Sequence, residues 1–154
     1  MISFVDVDGG ALAVETFPGT TEPILAIHGI SSHRRLWSWL RAAAPELTIV
    51  APDLRGRADS YEVKGASTVS QHADDMIAVL DAMELDSAHV CGMSMGGFVA
   101  IDLALRHPDR VKSLILVDGG FPMAKKEGLT REMLPVVFAD RLGRLEQTWG
   151  SVDE

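Results

Sequence analysis

The sequence predicts an α/β fold: a mostly parallel β-sheet with helices on both faces. Two observations carry this. Short apolar runs of strand length alternate with helix-patterned segments along the first 120 residues. Several of the runs also end abruptly at glycine, as in ILAIHG and VKSLILVDGG, the punctuation of a strand entering a tight loop. A third feature suggests where chemistry sits in such a fold: the pentapeptide Gly92-Met93-Ser94-Met95-Gly96, with a further glycine at Gly97.

The elements follow in order. ISFVDV and LAVETF alternate apolar and polar residues around Asp8, Gly9 and Gly10, which reads as a β-hairpin. A loop with Pro18, Gly19 and Pro23 leads to the strand ILAIHG, ending at Gly29. A helix is expected from about Arg35 to Ala44, where Pro45 favours termination. Leu47 to Asp53 reads as a buried strand, and a polar, glycine-containing loop follows it. From Val69 to Met83 the spacing is helical, with Val69, Met76, Val79, Leu80 and Met83 on the core side. Gln71, Asp74, Asp75 and Asp81 are expected to stay wet, and Ser70 to cap the helix. AHVCG is a strand, MGGFVAIDLALRH a largely apolar helix ended by Pro108, and the run from Val111 a further strand. Crossovers between parallel strands should be right-handed.

After Gly120 the pattern changes to one or two helical pieces without an obvious strand. Leu134, Val137 and Phe138 form a small apolar stripe there, and Lys125, Lys126, Arg131 and Arg141 read as solvated charges. The domain reading is therefore 1–120 for the core and 121–154 for the start of a helical cap or lid.

Composition narrows the function classes. With 47% hydrophobic residues the chain can build an ordinary core. A formal charge of −8 argues against nonspecific binding to nucleic acid or anionic membrane. The one cysteine, Cys91, excludes an intrachain disulfide framework. The N-terminus lacks a basic segment followed by an apolar run, and the apolar runs are too short to span a bilayer, so a cytoplasmic setting is expected. The histidines show no metal-ligand spacing, and the glycine-serine motif lacks the lysine of a phosphate loop. Neither metal nor organic cofactor is expected.

By itself, Gly-x-Ser-x-Gly fits two readings: a nucleophile on a strained turn, or a glycine-rich turn with a serine near a helix cap. The flanking strand and helix favour the first, because a strand-to-helix elbow lifts Ser94 above the sheet and needs small neighbours. A serine hydroxyl needs a base to become a competent nucleophile. An acyl-transfer intermediate needs two N–H donors for its oxyanion. Met95 supplies one such donor, and Ile30, in the loop after ILAIHG, is best placed to supply the other.

With these motifs the sequence resembles the α/β-hydrolase superfamily, in particular single-chain hydrolases related to bacterial esterases, haloperoxidase-like enzymes and C–C bond hydrolases. The resemblance runs from the start to about Gly120, through His28-Gly29, PDLRGRADS from Pro52, GMSMGG from Gly92 and LILVDGG from Leu114. It implies Ser94 as nucleophile and the Met95 and Ile30 N–H groups as the oxyanion hole. His28 and Gly29 shape the loop beneath that hole, and Gly92, Gly96 and Gly97 belong to the elbow. Asp53 and Arg55 organise the loop after the fourth strand. Ala58 stands where most relatives have glycine, and Arg57 at a position often held by histidine or arginine. Asp118 follows the strand after the elbow helix, where certain dehalogenases carry the triad acid; most relatives carry it after the next strand, and many aspartates at this position only bind loop backbone.

The family's late histidine has no counterpart here. His28, His33, His72, His89 and His107 are all poorly placed to be the base. The chain thus resembles the N-terminal part of a larger hydrolase, truncated after the sixth strand and the start of a cap. In isolation it is expected to be unstable or to self-associate through the exposed sheet edge, and to lack efficient triad catalysis. The resemblance implies a parent enzyme that hydrolyses a small ester-like organic substrate through an acyl-enzyme. The alternatives are C–C bond hydrolysis or a perhydrolase reaction with the same machinery, or a noncatalytic binding or scaffold protein. Phe121, Met123, Met133 and Phe138 either line an acyl pocket or simply pack helices.

Overall fold

A computed structural model describes residues 1–119. The expected cap, 121–154, with its apolar stripe and lysine–arginine positions, lies outside the described residues. Six strands form one sheet: β1 (Ile2–Val7), β2 (Gly10–Phe17), β3 (Pro23–Ile27), β4 (Thr48–Pro52), β5 (Ala88–Met93) and β6 (Val111–Val117). Their spatial order is β1-β2-β4-β3-β5-β6. The β1–β2 and β2–β4 pairs are antiparallel, and the other three are parallel. The helices are α1 (Ser38–Ala43), α2 (Val69–Ala82) and α3 (Met95–Arg106).

Strand alternation divides the core between the two faces. Leu25, Ile27, Val50 and Val90 pack with Met76, Val79 and Leu80 of α2 and Val99, Ala100 and Leu103 of α3. Their neighbours in the strands, Ala26, Ile49, Ala51 and Cys91, face the other way, onto Trp37 at the start of α1. Helices therefore cover both faces, as the alternating pattern requires.

Local chemistry sets the boundaries. Val7 pairs with Gly10, so the hairpin turn is the two residues Asp8 and Gly9, and β2 begins at Gly10 instead of Leu12. Gly9 takes the left-handed φ of +87° that this turn demands. Ahead of α1 runs a tight 3-10 turn, Arg34–Trp37, capped by His33, whose Nδ1 accepts from the Arg35 N–H at 3.3 Å.

Two expectations for α2 are corrected. Its cap is Thr68, not Ser70: Thr68 has the extended backbone of a cap, and its hydroxyl accepts from the Gln71 N–H at 3.1 Å. Ser70 lies inside the first turn. The core face is also rotated. Val69 is 37% exposed, whereas Asp75 is 2% exposed. The reason for the second is electrostatic: Arg55 comes in from the loop after β4 and meets Asp75 under cover, so the carboxylate is buried with its partner.

Candidate active site

The parallel strands end on one side of the sheet, with Ile27 beside Gly92 and Met93 beside Val117. The loops after β3, β4, β5 and β6 therefore emerge together, the usual place for a ligand in an open α/β sheet. Ser94 connects β5 to α3 with φ +50° and ψ −116°. A non-glycine residue there is strained by about 1–3 kcal/mol, and such strain persists only where the surroundings hold it. Three contacts do so. The Ser94 N–H donates to the Val117 carbonyl at 2.9 Å, and the Ser94 carbonyl accepts from the Gly97 N–H at 3.0 Å. The flanking glycines supply the third, through close approach: a Cβ on Gly92 would lie 2.7 Å from the Gly97 nitrogen, and one on Gly96 2.8 Å from the His28 carbonyl oxygen. No side chain fits either place.

Ser94 is exposed. The loop after β3 abuts it: a Cβ on Gly29 would stand 3.3 Å from the Ser94 Cβ and 3.8 Å from Oγ. His28 holds that loop from beneath. The Leu54 N–H donates to its Nε2 at 3.0 Å, which puts the ring proton on Nδ1, and Nδ1 donates to the Gly29 carbonyl at 2.7 Å. The Gly29 carbonyl also accepts from the Ser32 N–H at 3.1 Å. In a trans peptide the N–H points opposite the carbonyl, so clamping the Gly29 oxygen fixes the direction of the Ile30 N–H. Met95 opens α3, and its N–H has no intrahelical partner. The Met95 N–H thus follows directly on the serine, and the Ile30 N–H lies one residue beyond the Gly29 that abuts it. Burial pushes the His28 pKa down, against the opposing pull of its bond to Gly29 and the charge of Asp53. His28 is a neutral brace with both ring nitrogens engaged.

Asp53 and Arg55, the residues of the loop after β4, are both buried. Asp53 accepts from the Arg34 N–H at 2.7 Å, from the Arg34 guanidinium, and from the Asp59 N–H at 3.2 Å. Arg55 forks onto Asp75 with contacts of 2.7 and 2.6 Å, and donates to the carbonyls of Lys64 and Asp8. Asp75 is the main reason its pKa lies above the usual arginine value. Sequence reasoning missed Arg34, Asp75, Ser60 and the depth of His72. Ser60 bridges β2 and this loop, accepting from the Ala13 N–H and donating to the Asp53 carbonyl. The one available signal was the unusual second charge in HRRLW.

Asp118 is exposed and has φ +51°. Gly119 lies against the Ser94 backbone, where a Cβ would come 2.6 Å from the Ser94 Cα. Asp118 is therefore beside the elbow, and no described side chain is hydrogen-bonded to it. The other histidines are elsewhere. His33 caps the 3-10 turn. His72 is buried beside Ser67, His89 binds Ser113 and Glu22, and His107 ends α3. Cys91 is buried within the sheet, which raises its thiol pKa. Among the described residues no three His, Cys, Asp or Glu side chains are grouped to hold a metal. No described helix is long and apolar enough to cross a membrane.

Comparison with known proteins gives a consistent picture. Residues 22–148 match the family model described as alpha/beta hydrolase fold. The chain is 37% identical over 151 residues to the dihydrolipoyllysine-residue acetyltransferase component of the acetoin cleaving system of Cupriavidus necator, covering 89% of this chain and 40% of that protein. It is 35% identical over 117 residues to 2-hydroxymuconate semialdehyde hydrolase of Pseudomonas sp. strain CF600, covering 72% and 41%. The solved structure of Est816, described as an N-acyl homoserine lactone degrading enzyme, superposes with a TM-score of 0.76 at 30% identity, covering 92% and 54%. The chain thus spans between two fifths and just over half the length of these relatives.

Proposed function

Given that the chain belongs to the alpha/beta hydrolase fold family, we propose that it carries the nucleophile and oxyanion hole of a serine hydrolase acting on a small ester-like substrate. The observation that carries this reading is the strained Ser94 elbow, φ +50°, pressed against the Gly29–Ile30 loop. In the first step Ser94 Oγ attacks the carbonyl carbon while its proton passes to a general base. The carbonyl oxygen becomes an anion held by the Met95 and Ile30 N–H groups. The alcohol then leaves with the proton, forming an acyl-enzyme. Water, deprotonated by the same base, attacks the acyl carbon and releases the carboxylic acid and free Ser94. Each oxyanion donor is worth about 10²–10³ in kcat.

The base is none of this chain's five histidines, since none is hydrogen-bonded to Ser94 and each has another place in the fold. In this reading it falls in the part of the relatives' length that the chain does not span. Asp118, beside the elbow, is one candidate for the acid that orients it. The lactone-degrading activity named for Est816 supports an ester-like substrate, since a lactone is a cyclic ester. The likeness to 2-hydroxymuconate semialdehyde hydrolase supports a second reading, C–C bond hydrolysis at the same serine.

The test is a fluorophosphonate probe on the intact protein, with peptide mapping. Covalent labelling at Ser94, lost in Ser94→Ala together with hydrolysis of p-nitrophenyl esters, is the expected result. A folded protein that neither labels nor turns over an ester or a vinylogous diketone would reduce the chain to a noncatalytic member of the family.

A further inference from the structure

Arg57 differs from the other described arginines. Arg34, Arg55, Arg106 and Arg110 each bind a carboxylate, and Arg35 and Arg41 are exposed. Arg57 is half-buried, yet it touches only neutral oxygens: Nε donates to the Ile30 carbonyl at 2.7 Å and Nη1 to the Gly56 carbonyl at 3.2 Å. Its Nη2 has no acceptor among the described residues. Asp53 and Asp59, in the same loop, are both bonded to Arg34.

Its location gives this cation a use. Ile30 offers its N–H to the oxyanion side of the Ser94 site and its carbonyl to Arg57, and Ile30 itself is 58% exposed. The guanidinium is thus anchored by two carbonyls at the rim of the site, with one nitrogen left over. A fixed guanidinium with spare donors is suited to a carboxylate. In a chain of net charge −8 an anionic substrate is repelled in general, so a local cation at the mouth decides whether such a substrate is accepted.

Building on the serine-hydrolase reading, we propose that Arg57 determines specificity at the Ser94 site by binding a carboxylate on the acyl part of the substrate. The substrate class is then an ester whose acyl group ends in a carboxylate, such as a half-ester of a short dicarboxylic acid.

The experiment compares p-nitrophenyl butyrate with p-nitrophenyl hemiglutarate, the same acyl chain ending in a carboxylate, on the intact protein. The readout is the ratio of kcat/KM for hemiglutarate to that for butyrate. Arg57→Gln should lower this ratio about tenfold, Arg57→Lys should keep most of it, and added salt should reduce it in the native protein and in Arg57→Lys but not in Arg57→Gln. If Arg57 only braces the Ile30 loop, both esters slow together and the ratio stays constant; that result overturns the proposal. Should the native protein hydrolyse neither ester, the serine-hydrolase reading fails, and a second measurement still decides on Arg57. Phenylglyoxal labelling of Arg57, read by peptide mass spectrometry, should be suppressed by glutarate and not by the neutral amide butyramide. Equal labelling in both overturns the anion site.

Discussion

His72 makes the protein's stability depend on pH in a way that can be isolated. It is buried in α2 with Nε2 at 3.0 Å from the Ser67 hydroxyl and, among the described residues, no partner for Nδ1. Burial is the main cause that lowers its pKa from 6.5 to about 4, only partly offset by Asp75. In the unfolded chain it titrates near the ordinary value. Between these two values the unfolded state binds the extra proton, so stability rises with pH across the interval. The contribution is complete above about pH 6.5 and is lost as the pH falls to about 4. A gap of about 2.5 pH units corresponds to about 3 kcal/mol. Urea unfolding at pH 7, 5.5 and 4 measures it, with His72→Leu as the comparison. Carboxylates and the buried His28 titrate in both proteins and cancel in the difference. The native protein should lose about 3 kcal/mol more than His72→Leu from pH 7 to pH 4. His72→Gln, a polar variant without the ionisation, should behave like the leucine variant. Parallel pH curves for native and variant proteins would refute the reasoning, because a buried neutral histidine must then already be accommodated when charged.

Two further perturbations test the scaffold around Ser94. Asp75→Ala leaves the Arg55 guanidinium buried without its carboxylate and should cost about 3–5 kcal/mol in chemical denaturation; replacing both residues by apolar ones should cost less. Gly96→Ala drives a methyl into the Ile27 and His28 carbonyls. It should cost about 2 kcal/mol or more in the same assay and slow fluorophosphonate labelling of Ser94.

Sequence reached the elements whose signals are local. The strands from β3 to β6 are built on short apolar runs, and the elbow is a five-residue spacing of glycines between a strand and a helix. Sequence did not reach interactions whose partners are far apart in the chain. Nothing near Asp53 indicates that Arg34, nineteen residues earlier, supplies its counter-charge. Asp75 looks solvated by residue type, and only the approach of Arg55, twenty residues away, explains its burial. The cap of α2 failed for a narrower reason. Thr68 and Ser70 both carry hydroxyls, and backbone conformation alone decides which one faces the free N–H groups. For the candidate site, the Ser94 elbow and the loop after β3 were legible because they sit in short motifs. Their mounting was not, because it is assembled from three loops.

That mounting explains why so much charge is buried beside a small site. Buried ion pairs contribute little net stability, since desolvation offsets most of their attraction. Here they stand where fixed geometry matters. Asp53 and Arg34 tie the loop after β4 to the segment following β3, and Arg55 with Asp75 locks the same loop to α2. From that immobilised loop the Leu54 N–H reaches His28, and His28 reaches the Gly29 carbonyl. The direction of the Ile30 N–H is therefore set by a chain of bonds that begins at two ion pairs. Oxyanion stabilisation is effective when donors are already oriented and need no reorganisation during the reaction. A neutral His28 suits this role, since protonation would replace the acceptor at Nε2 with a donor facing the Leu54 N–H. The burial that lowers its pKa thus protects the alignment of the donor loop, and buried polarity in this fold serves position more than stability.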